Sequence, residues 1–327
     1  MTRFLKFLAL FALLLASSCN NEEELTSYEL NLDPNQSSAL FINSSEVLGD
    51  MIQVQVIANG IGMERLYVVR DEEFYLDPSP YLVGDLRDGS IAIPAGPDER
   101  FETTLEFPVQ QFNVDYHVWA TSTRGDHRDV NKHAVTGLGT ITITGYDQTG
   151  YVPLLSECKS YSTELQVQSS NGATTNFIST TGYKHSVLEG SEFSHYWDIG
   201  YHYDEMNGIS LYSGFSFPKD AILALGQIDP INLNETYFTV RPDLDEADFN
   251  AIRDIELYRW EEQDTYTFMT TTASSQSISN LQVTDIVEFL DTYGQRGFLQ
   301  IQRETGSIDP DPTVRIPVQL LVFRRNL

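Results

Sequence analysis

VDYHVWATS, residues 114–122, decides the class of this chain. Val114, Tyr116, Val118 and Ala120 fall on one side of an extended segment, and Asp115, His117, Trp119 and Thr121 fall on the other. That two-residue period is the pattern of a half-buried β-strand, because successive side chains of an extended chain point to opposite faces. The same alternation recurs in MIQVQVIA from Met51, ERLYVVR from Glu64, GTITITGY from Gly139, TELQVQS from Thr163 and RGFLQIQR from Arg296, with Gly, Pro, Asn and Asp between the runs. The chain is therefore read as mainly β. One segment breaks the rule: in DLDEADFNAIRDIELY, Asp245 is placed to cap a helix, Glu246 and Asp248 suit its positive end, and Phe249 and Ile252 share a face at helical spacing.

A chain of 327 residues is long enough for two domains at about 100–200 residues each. The alternation lapses in DQTGYVPLL, residues 147–155, which divides the chain into a β-sandwich over residues 27–146 and a β-rich domain with one or two short helices over residues 150–327. The Tyr116-x-Val118-x-Ala120 pattern, followed by GTITITGY, resembles the last two strands of an immunoglobulin-like or fibronectin type III module. The second part, with SHYWDIGYHYDEMNG from Ser194, FTVRPDLDEADFNAI from Phe238, SNLQVTDIVEFLDTYGQRGFLQIQR from Ser279 and TVRIPVQLLVF from Thr313, resembles the C-terminal module of Bacteroidetes cell-surface lipoproteins. The resemblance implies a fold and a location and brings no activity with it. Within the SNLQVTD stretch, Val283, Ile286 and Phe289 supply apolar side chains, while Asp291, Tyr293 and Gly294 supply turn chemistry.

The location is also written at the start of the chain. In MTRFLKFLALFALLLASSCNNEEE, Arg3 and Lys6 precede an apolar run at residues 7–15, then Ala16, Ser17 and Ser18, then Cys19. The run fits a signal-peptide core and falls short of the roughly 20 residues that span a bilayer. The order resembles a bacterial lipoprotein signal, which implies cleavage after residue 18, acylation of Cys19 and attachment to a lipid bilayer. NNEEE then forms an acidic tether over residues 19–26 and resembles the export tag of surface-exposed Bacteroidetes lipoproteins, implying an outer-membrane anchor with the folded part facing the exterior. With Cys19 lipidated, Cys158 has no intramolecular partner and is read as a small core residue. A formal net charge of -27 with five lysines excludes a phosphate-tracking nucleic-acid groove.

Few constellations suggest chemistry. HYWDIGYHYDE gathers His195, Asp198, His202, Asp204 and Glu205, but in a strand Asp198 and His202 stand ~13 Å apart, too far to share a metal. PDLDEAD near Asp243 lacks the third ligand and the glycine of a helical calcium loop, and IDPDP near Asp309 is a stiff turn; a calcium site built from separate loops stays open. Arg124, Gly125 and Asp126 form a tripeptide on the loop after the 114–122 strand, where glycine and polar residues also suit an ordinary turn. No nucleophile elbow, phosphate loop, dinucleotide fingerprint or zinc-protease helix is present. The reading therefore has no catalytic residue, metal or cofactor. Its candidate ligand contacts are aromatic: Trp119, which alternates away from the Val and Tyr face, and Trp260 with Tyr258, since exposed rings stack on sugars. The expected function is a non-enzymatic surface binding module, with glycan as first candidate ligand. A protein-binding or adhesive module using residues 124–127 is the alternative, and a glycan-processing enzyme the third class.

Overall fold

A computed structural model describes residues 28–43, 49–72, 75–80, 84–85, 87–94, 99–110, 113–145, 158–166, 176–218, 228–229, 232–254, 267–304 and 308–323. Cys19, the expected domain break at 147–155, Tyr258 and Trp260 lie outside the described residues. The fold is mainly β, and its strands build two separate apolar cores.

The first core lies between two sheets made by β1 (Tyr28–Leu32), β2 (Ser38–Ile42), β3 (Met51–Asn59), β4 (Arg65–Glu72), β5 (Tyr75–Pro80), β6 (Ile91–Ala92), β7 (Arg100–Pro108), β8 (Val114–Thr121) and β9 (Gly139–Ile143). One sheet runs β1-β3-β7; the other runs β2-β9-β8-β4-β5, with β6 beside β4. Alternate residues meet in the middle: Leu30, Val54, Val56 and Phe107 from the first sheet pack against Leu66, Val68, Tyr116, Val118 and Ile141 from the second. Phe107 and Tyr116 touch with ring centroids 4.4 Å apart. Two pairings are parallel, β1 with β3 and β2 with β9.

The expected outer face of β8 is not outside. Tyr67, Val69 and Trp119 form a buried cluster of their own, covered by Val130, Ala134 and Leu138 from the loop between β8 and β9. That loop, residues 122–138, turns back across the sheet, pairing with β8 through Val135 N to Ala120 O at 2.9 Å and with itself through Ser122 N to His133 O at 3.0 Å.

The second core lies between two five-stranded sheets. Its strands are β10 (Cys158–Gln166), β11 (Asn176–Ile178), β12 (Lys184–Ser186), β13 (Ile199–Asp204), β14 (Gly208–Ser213), β15 (Thr236–Val240), β16 (Ser277–Leu281), β17 (Ile286–Asp291), β18 (Arg296–Ile301) and β19 (Arg315–Phe323). The orders are β10-β19-β18-β17-β15 and β12-β11-β13-β14-β16. Val287, Phe289, Leu299, Val318 and Leu320 face Ile178, Ile199, Tyr201 and Leu211. The stretch from Ser194 does not run as one strand: a 3-10 helix, Val187–Tyr196, precedes β13.

The helix expected around Asp245 is α1 (Glu246–Asp254). Asp245 Oδ1 accepts from the Asp248 amide at 2.9 Å and Asp248 Oδ2 accepts from the Asp245 amide at 3.0 Å, a reciprocal cap that satisfies otherwise orphaned helix-start donors. Phe249 and Ile252 seat α1 on the outside of the second unit against Ile286, Phe298, Leu321 and Phe323.

Candidate functional site

The densest assembly of ionisable groups sits where the 122–138 loop meets the second unit, and Arg128 is its centre. Its side chain is 1 % exposed. The guanidinium grips two carboxylates with forked geometry, Asp126 through Nε at 3.0 Å and Nη2 at 2.8 Å, and Asp198 through Nη1 at 2.7 Å and Nη2 at 3.2 Å. Nη1 also donates to Thr180 Oγ1 at 2.7 Å and lies 3.5 Å from Asp291 Oδ2. Tyr293 packs its ring against the guanidinium, 4.5 Å from carbon to centroid.

Each partner is placed by local backbone chemistry. Asp126 accepts from the Arg128 amide at 2.9 Å in a short loop turn. Asp198, in the bend before β13, also accepts from the Thr180 amide at 2.7 Å and from Asn234 at 2.8 Å. Asp291 closes the β17–β18 hairpin, its Oδ1 taking the amides of Tyr293 at 2.9 Å and Gln295 at 2.8 Å, with Gly294 at φ +83°. That leaves Oδ2 aimed at Thr180.

A second ionic knot lies alongside. Arg124 donates to Asp88, to Asp85 at 3.2 Å and to Glu192 of the 3-10 helix at 2.9 Å, and its guanidinium lies 4.2 Å from the Phe193 ring centroid. Tyr67, beneath, donates to Gly125 O and accepts from Gly125 N, both at 3.0 Å. Tyr196 accepts from the His127 amide at 3.0 Å.

Burial raises the Asp126 carboxyl, but the Arg128 charge and hydrogen bonds outweigh it and hold the group far below the usual carboxylate range. Asp85 feels the same opposition, burial upward against the Arg87 hydrogen bonds downward, and settles at about 2. Burial lowers His195 to about 3, helped by the Lys132 charge, and lowers His185 to about 4.

Several sequence expectations are corrected by these positions. Trp119 is 2 % exposed and stacks on Tyr67 at 5.4 Å, so it offers no surface to a sugar; the returning loop covers it. Residues 124–127 are buried as well, Arg124 paired with Asp85, Asp88 and Glu192, Asp126 with Arg128, and the His127 amide with Tyr196, so they are not displayed to an outside partner. His195 and Asp198 do share a neighbourhood, through the contacts of the His195 carbonyl and the Asp198 carboxylate with Arg128. His202 Nε2 lies 3.7 Å from Asp204 Oδ2, and Asp204 caps the next turn through the Met206 and Asn207 amides. Asp243 is paired with Arg241 at 2.7 Å, and Asp309 with Arg303 at 3.3 Å. Among the described residues no three His, Cys, Asp or Glu side chains converge on a metal position.

The first unit also carries an open recess of about 690 Å³, lined by Asn59, Gly60, Ile61, Glu99, Arg100, Glu102 and Pro34. The β3–β7 register sets Asn59 opposite Arg100 and the buried Ile57 opposite Glu102. Arg100 donates to Glu102 at 2.6 Å, and the exposed face continues with Gln55 to Glu102 at 3.3 Å and Gln53 to Glu106 at 2.9 Å. The recess had no motif to announce it, since its residues come from three separate turns and strands.

No family model matches the chain, and no curated protein matches it. Among solved structures it is similar to a DUF4466 family protein from Parabacteroides merdae, at 13 % identity and a TM-score of 0.34, over 88 % of this chain and 95 % of that one. Among the described residues no helix is long and apolar enough to cross a membrane.

Proposed function

We propose that this protein is a lipid-anchored cell-surface binding protein, fixed by Cys19 to the outer membrane with its folded part facing the medium, and that it binds a neutral glycan non-enzymatically at the recess beside Arg100. The signal-like order around Cys19 supports the anchor. The strand order of the first unit supports an immunoglobulin-like module, although the parallel β1–β3 and β2–β9 pairs depart from the all-antiparallel sheets of that fold.

The observation that carries the binding reading is the recess itself. Its volume falls in the range of ligand sites, and planar amide, carboxylate and guanidinium groups offer the paired donors and acceptors that vicinal hydroxyls require. The apolar side chain of Ile61 at the rim suits the carbon face of a ring. A net charge of -27 favours neutral over anionic glycans. Screening the mature chain against a broad polysaccharide set tests this: binding is expected, and Arg100→Ala or Glu102→Gln weakens it about tenfold by removing a charge-assisted hydrogen bond. Uniform absence of binding rejects the glycan reading and leaves a protein partner; turnover of the sugar would mark an enzyme. Cys19→Ala is expected to move the protein out of the membrane fraction.

A further inference from the structure

Three carboxylates converge on one guanidinium in the joint between the two units. Asp126, Asp198 and Asp291 are each 0 % exposed in their side chains, and Arg128 is 1 % exposed. Fully ionised, the four groups would carry a net charge of two negatives in a closed space, offset in part by Lys132, which interacts with Asp126 and Asp198 from the same loop as Arg128, and that excess is costly without water. Hydrogen-bond counting points to where the excess is relieved. Thr180 Oγ1 has one proton to give; it accepts from Arg128 and faces oxygens of Asp291 at 2.7 Å, Gln295 at 2.8 Å and Asp198 at 3.2 Å. Asp126 and Asp198 are each held by two guanidinium nitrogens, whereas Asp291 Oδ2 stands 3.5 Å from the nearest, beyond a good hydrogen bond.

We infer that a proton lodged on Asp291 completes the joint between the two sandwiches, donated from Oδ2 to Thr180, and that an alkaline medium loosens the joint by removing it. Burial pushes the Asp291 carboxyl up to about 7, against the lowering charge of Arg128, and the Asp198 charge adds to the rise. The charged groups acting on it are Arg128 from the 122–138 loop and Asp198 from the bend before β13; Asp126 and Lys132 of that loop act on Arg128 and Asp198 in turn, and Tyr293 of its own hairpin packs on Arg128, its phenol kept neutral by burial. The sign follows from linkage. Folded protein holds this proton where unfolded protein has released it, so stability from this group is complete below about pH 4 and is lost as pH rises through about 7.

Asp291→Asn is the matching test, because an amide keeps the shape of the protonated acid and still donates to Thr180. In the full chain, an infrared band of a protonated carboxyl is expected at pH 6, gone by pH 8.5 and absent from D291N. The ratio of wild-type to D291N folding constants is expected to fall about tenfold between pH 6 and 8, and small-angle scattering is expected to show wild type, but not D291N, expanding over that range. If D291N does not fold, the wild-type infrared titration decides alone. The inference is overturned by the lack of a carboxylic-acid band titrating near neutrality, or by identical pH profiles of the two proteins.

Discussion

Arg128 and Trp119 show how a polar loop can work inward. Trp119 lies on the face of β8 that alternation assigns to solvent, yet the loop that carries Arg128 closes over it. Trp119→Ala should therefore behave as a core truncation, costing about 3–5 kcal/mol in denaturant unfolding, and should leave the proposed glycan binding at the recess unchanged once stability is restored by lower temperature. Arg128→Ala strands two buried carboxylates and should cost a similar amount, about 3–5 kcal/mol. Burial of Trp119 was partly legible: Leu66 to Val69 and Val118 to Ala120 are unbroken apolar runs in neighbouring strands, the mark of strands covered on both faces. The distant partners of Arg128 were not legible, since Thr180, Asp198 and Asp291 lie 52 to 163 residues further along the chain, while Asp198 reads locally as one acidic residue of an aromatic strand and Asp291 as a turn residue.

Among the elements, the period-two strands and the capped helix followed from sequence because each is stabilised by its own neighbours. The extended reading from Ser194 failed at its start, where a 3-10 helix buries Tyr196 between the rings of His127 and His185 and buries Phe193 against His185 and the guanidiniums of Arg87 and Arg124. The β18–β19 pair supplies an element-level prediction. A Cβ on Gly297 would lie 1.9 Å from the Leu321 carbonyl oxygen and 2.5 Å from the Phe289 ring. Gly297→Ala must push these strands apart, so a loss of about 1–3 kcal/mol and weakened amide protection of β18 and β19 are expected. Normal stability and protection would show that the pair has room to spare.

Across the whole molecule, acid acts on the joint through different groups from those that respond to alkali. His185 and His195 titrate below their usual 6.5, at about 4 and about 3. Unfolded chains take up protons that the folded protein refuses, so their contribution is complete above pH 6.5 and declines as pH falls toward 4 and then 3. Asp126 and Asp85 add to the loss below pH 4, because their folded values lie under the ordinary 3.8. Stability should thus peak near pH 6.5. His195→Phe, which preserves a ring against His133, should flatten the acid limb by up to one proton, about 1.4 kcal/mol per pH unit; an unaltered slope would place the titration elsewhere.

The central claim is that one arginine in the first unit organises both sides of the joint. Hydrogen exchange of wild type and Arg128→Ala, read by mass spectrometry, tests it most directly. Exchange is expected to rise together in residues 122–138, 179–181 and 291–295 while β3 and β19 stay protected. A rise confined to residues 122–138, with 179–181 and 291–295 unchanged, would show that each unit closes its own side and that Arg128 does not join them.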